Sequence, residues 1–71
     1  MPHPGSCGEL RERLEMARTL LHRIELDIRD TGYTLRVDPR GFAREHYEWL
    51  RMRRAEVESE VRELRQVLGC C

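Results

Sequence analysis

Two runs of apolar residues advance along the chain in alternating steps of four and three, and a stretch holding Gly32 and Asp38-Pro39 separates them. This pattern restricts the fold more than any other feature. Steps of four and three average about 3.5 residues, close to the helical repeat, so each run lies along one side of an α-helix. The first run is Leu10, Leu14, Ala17, Leu21, Ile24 and Ile28, widened on one side by Met16 and Leu20. The second is Ala43, Tyr47, Leu50, Arg54, Val57, Val61, Leu64 and Leu68. Leu26 falls on the far side of the first helix and has no place in the seam.

Local signals set the expected boundaries. Residues 1–5 form a Pro/Gly-rich lead that is expected to be flexible. Ser6-Cys7-Gly8-Glu9 reads as a capping box, in which the Ser hydroxyl and the Glu carboxylate satisfy free backbone amides. The first helix therefore spans 6–31. Gly32 is placed to end it in a left-handed conformation, with Tyr33 packing back on Ile28. The alternating segment 33–37 reads as extended, so 32–38 forms the connector. Asp38 then caps a second helix over 39–68, with Pro39 in its first turn and Val37 and Phe42 forming a hydrophobic staple. Gly69 ends that helix, and 69–71 are a tail.

Two matched seams joined by a short connector fold back on each other. The expected fold class is all-α: a single antiparallel, coiled-coil-like two-helix hairpin. Folding about residue 35 sets Leu21 against Leu50, Leu14 against Val57 and Arg54 against the small Ala17, with the second helix overhanging the first by a turn or two. Two helices cannot cover every large apolar side chain present. Met16, Leu20, Phe42, Trp49, Met52 and Val67 are left over, which predicts dimerisation into a four-helix bundle or a partner helix.

Composition narrows the function classes. All thirteen basic residues are Arg, and they balance thirteen acids, so no global field draws the chain to nucleic acid or a membrane surface. The charge is uneven, however: residues 36–54 are basic and 55–71 acidic. No apolar run is long enough to span a bilayer, and the N-terminus lacks a signal-peptide core, so the expected location is intracellular and cytoplasmic. There the three cysteines are expected mainly as thiols. A disulfide from Cys7 to Cys70 or Cys71 is an alternative, although the expected register puts Cys70 several residues beyond Cys7. A Cys₃His zinc site from His3, Cys7, Cys70 and Cys71 is a weaker one, because the spacing matches no common ligand pattern.

Arg51, Arg53 and Arg54 crowd one turn, with Arg36, Arg40 and Arg44 nearer the hairpin tip and Tyr47 and Trp49 interleaved between the two groups. Such a pattern can hold phosphates and stack on bases, but Glu45 and Glu48 interrupt it and a solvated, ion-paired face is the preferred reading. Arg54 sits at a seam position and needs a carboxylate there. Glu15 of the first helix or an acid across a dimer are the expected candidates, or its stem packs while its head stays in water. No phosphate loop, nucleophile elbow or HExxH motif occurs, so neither catalysis nor a cofactor is expected.

The leading expectation is a small interaction module. Leu20, Phe42, Trp49 and Met52 anchor a second copy or another protein's helix, and Arg51, Arg53 and Arg54 orient it by charge. A nucleic-acid-binding accessory protein using the Arg-rich stretch is the second reading. A thiol- or zinc-dependent switch at the Cys-bearing end is the third.

Overall fold

A computed structural model of the chain describes residues 6–39 and 41–71; the expectations for residues 1–5, His3 among them, lie outside these. The described residues form two helices, α1 (Cys7–Val37) and α2 (Ala43–Leu68), packed against each other with no strand. The particle is a rod of 52 × 17 × 14 Å. The all-helical hairpin is therefore present, with different element boundaries.

The start of α1 is as the capping residues dictate. The Ser6 hydroxyl accepts a hydrogen bond from the Glu9 amide at 3.2 Å, and the Ser6 carbonyl accepts one from the Leu10 amide at 3.0 Å. The expected stop at Gly32 is overturned, because α1 runs through Gly32 and on to Val37. The segment 33–37 is helical rather than extended. Gly inside a helix is unfavourable by only ~1 kcal/mol relative to Ala, and packing readily offsets that. The seam itself carries on, since Thr31 and Leu35 keep the four-and-three steps beyond Ile28 and are both partly buried. The Thr34 hydroxyl turns back to the Asp30 carbonyl at 3.2 Å, which satisfies a residue that otherwise favours extended backbone.

The true stop is Pro39. A proline disfavours helical backbone in the residue before it, and Asp38 is extended at φ −143°, ψ 96°. Asp38 thus closes α1, its amide donating to the Thr34 carbonyl at 2.8 Å, and is not the N-cap of α2. Gly41 takes a positive φ of 84°, and α2 begins at Ala43 with no side-chain cap on Phe42. The expected staple is absent as well: Val37 and Phe42 are both exposed, as is Tyr33. At the far end, the Gly69 amide donates to the Arg65 carbonyl at 3.0 Å, closing α2 where expected.

This one change moves the whole register. Cys7 is bonded to Cys71 at one end, with Cα atoms 6.2 Å apart, and Gly32 approaches the Tyr47 ring at the other. Leu50 consequently comes level with Ile28 instead of Leu21, and Val57 level with Leu21 instead of Leu14. That is a displacement of one heptad. The expected overhang of the second helix vanishes, and Ala17 comes level with Val61 rather than Arg54. The buried faces are nonetheless the expected ones. Leu10, Ala17, Ile24, Leu50, Val57, Val61 and Leu64 form the core, and Leu14, Leu21, Ile28 and Leu68 pack against it.

Gly32→Ala is a direct test of where α1 ends. A Cβ there would meet Tyr47 Cε1 at 3.6 Å, an ordinary contact, and alanine is favoured in a helix interior. The substitution is expected to raise stability by about 0.5–1 kcal/mol in urea unfolding. A loss of stability would instead place Gly32 at a left-handed helix end.

Candidate interaction surface

The same periodicity that buries one stripe of each helix decides what is left outside. Seam positions face the neighbouring helix, positions a quarter-turn away form the two sides of the hairpin, and the rest face outward. On one side, α1 presents Arg13, Met16 and Leu20 next to Glu60 of α2. On the other, Arg18, His22 and Glu25 of α1 meet Glu58, Arg62 and Arg65 of α2. The second side is almost wholly charged. The first holds the uncovered apolar groups Met16 and Leu20.

All four sequence-derived anchors are exposed. Phe42 is 86% exposed, Met52 71%, Trp49 57% and Leu20 38%. They do not form one patch. Leu20 lies on α1 in a shallow groove with Met16 and Leu26. Met52 sits on α2 between Glu48, Arg51 and Ala55. Trp49 stacks on His46, with ring centroids 6.1 Å apart and planes 10° from parallel. The stack orders the indole without covering it.

The arginine cluster is divided by the helix. Arg53 pairs with Glu56, Nη1 to Oε1 at 3.5 Å. Arg54 leans to Glu58, Nε to Oε1 at 3.9 Å. Arg51 lies over the Tyr47 ring, 6.0 Å from its centroid. The three are thus engaged locally and do not converge on one anion site. Half-exposed ion pairs of this kind contribute at most about 1 kcal/mol each. Of the alternatives for Arg54, the half-exposed side chain is the one found, and Glu15 as its partner is corrected. Glu15 lies 3.6 Å from Arg18 in its own helix, and Arg54 finds its carboxylate one turn along α2, because the register takes it away from that part of α1.

At the open end Cys7 and Cys71 are joined and Cys70 is an exposed thiol. The expectation of mainly free thiols is overturned, and the alternative of a disulfide from Cys7 to one of the two C-terminal cysteines is the one present. The register that puts Cys71 opposite Cys7 also decides which of the two C-terminal cysteines bonds. Two of the proposed zinc ligands are thereby consumed, and no cluster of three metal-ligating side chains occurs among the described residues.

Tyr33 and Val37 are exposed apolar residues that the sequence reading missed as surface. Their signal was the continuation of the seam through Thr31 and Leu35, which turns both outward. Comparison with protein-family models, curated proteins and solved structures finds no match for this chain.

Proposed function

We propose that this protein is a non-catalytic interaction module, an adaptor, regulator or assembly factor that lays exposed apolar groups of its helices against another helix, in a second copy or in a different protein. The observation that carries the reading is the number of large uncovered side chains, Phe42 at the start of α2 and Trp49 and Met52 along it, accompanied by Met16 and Leu20 on α1. Large apolar and aromatic groups dominate interface energies, and leaving several in water on so small a rod favours a partner. Arg51, Arg53 and Arg54 lie among these anchors and supply orientation by charge.

The nucleic-acid alternative draws less support. It needs converging cations, and Arg53 and Arg54 each have a carboxylate neighbour while Arg51 lies on Tyr47. No described helix is long and apolar enough to cross a membrane. The Cys7–Cys71 bond is of a kind that persists in oxidising compartments and favours one less reducing than the cytoplasm.

Trp49→Ala tests the proposal. Removing a central aromatic anchor is expected to weaken association by more than about tenfold, read by sedimentation equilibrium, while helix content by circular dichroism stays unchanged. Association indifferent to this change, in self-assembly and with any defined partner helix, would defeat the reading.

A further inference from the structure

A second series of four-and-three steps runs down α2 outside the buried seam, from Phe42 through Trp49 and Arg53 to Val67. Every side chain on it is exposed or half-exposed. Its first half is aromatic and basic. Its second half is acidic until it closes on Val67.

The spacing of this stripe reads the same from either end, with its centre between Arg53 and Glu56. Laying a second α2 along it antiparallel, about a two-fold axis at that centre, gives four facing pairs. Arg53 meets the second copy's Glu56. His46 meets the second copy's Glu63, and Trp49, stacked on His46, meets the second copy's Glu60. Phe42 meets the second copy's Val67, so the most exposed large apolar group finds an apolar partner. A parallel arrangement would set each glutamate against its own copy, which is repulsive. Sliding the antiparallel pair one heptad toward the C-terminus brings Glu56 against Glu60. The centre of the stripe also lies within about a residue of the middle of α2 (Ala43–Leu68), so two such helices overlap over nearly their full ~39 Å at 1.5 Å per residue.

From this charge complementarity we infer that the partner of the α2 surface is a second copy of this chain, paired antiparallel along the stripe with the two-fold axis between Arg53 and Glu56. The inference deepens the interaction reading above and rests on it. Because the stripe lies about a quarter-turn from the buried seam, both α1 helices come to lie on the same face of the α2 pair. The other, charged side of the hairpin, around Arg18, Glu58 and Arg62, stays in water. The Arg53–Glu56 contact within each helix places both groups at the axis, where each can be shared with the other copy.

Light scattering and sedimentation of the full oxidised chain, with Arg53→Glu, Glu56→Arg and the double variant, test this. The wild type is expected to be a dimer. Each single reversal brings like charges together at the axis twice and raises the dissociation constant about tenfold or more. The double reversal restores opposite charges across the axis and returns the dissociation constant close to wild type. Circular dichroism checks that all four proteins keep the same helix content. A monomeric wild type up to millimolar concentration overturns the inference and leaves the interaction reading to a foreign helix. A dimer indifferent to the single reversals, or one not rescued by the double, overturns the register while Trp49→Ala still reports on the interaction reading.

Discussion

Opening the Cys7–Cys71 bond is expected to lower the thermal midpoint of the hairpin by more than about 10 °C. The bond joins positions 64 residues apart, so nearly the whole chain is inside the loop. Restricting an unfolded loop of that size is worth about 4 kcal/mol in the chain-entropy model, and removing such a bond from a small domain typically costs about 2–5 kcal/mol. For a chain of this length each kcal/mol moves the midpoint by roughly 4–8 °C. A single seam between two helices leaves little stability in reserve. Cys7→Ser is the cleaner variant, because Cys70 can take the place of Cys71 if the latter is removed. Thermal melts by circular dichroism, with and without reductant, give the measurement. Cys70→Ser is the control and should leave the midpoint nearly unchanged, since that thiol is exposed and unbonded. An unchanged midpoint for Cys7→Ser would show that packing of the helix ends alone closes the hairpin.

Leu50→Ala is expected to destabilise the fold by about 3 kcal/mol, within the usual range for deleting a buried leucine side chain. Leu50 is only 2% exposed, and the observed register puts it level with Ile28, in the part of the seam nearest the tip. Neighbouring side chains come from one opposing helix only, so the gap is not refilled from behind. Leu26→Ala is the matched comparison. Leu26 is 41% exposed on the far side of α1, and the same change there should cost less than about 1 kcal/mol. Urea unfolding of both variants gives the answer as a shift in midpoint at constant slope. Equal effects at the two positions would mean that the seam is not the core.

The exposure of the residues proposed as anchors was legible in the sequence, for a simple geometric reason. Phe42, Trp49 and Met52 break step with the buried run of α2, and two helices cannot bury side chains on three sides. Their exposure follows from period alone. How the arginines are shared was not legible in that way. Arg51, Arg53 and Arg54 are neighbours in sequence, but successive helix positions are turned by about 100°, and each side chain finds its own contact on a different side of α2. Which of Cys70 and Cys71 bonds to Cys7 was equally out of reach, since it depends on how far along α1 the second helix returns.

Residue order alone established the two helices, their antiparallel pairing and the identity of the buried stripe. Burial of one face is a local consequence of spacing, and Leu10, Ala17, Ile24, Leu50, Val57 and Val61 carry it without reference to anything distant. Tertiary packing decided the turn and the register. Asp38-Pro39 serves equally as the start of one helix or, through the extended backbone forced on Asp38, as the end of another. Gly32 is tolerated mid-helix once Tyr47 packs beside it. Moving one helix past the other by seven residues keeps every apolar residue on its inward face, so periodicity cannot tell the two alignments apart. The choice fell to contacts between residues far apart in the chain: Gly32 with Tyr47 at the tip, and Cys7 with Cys71 at the open end.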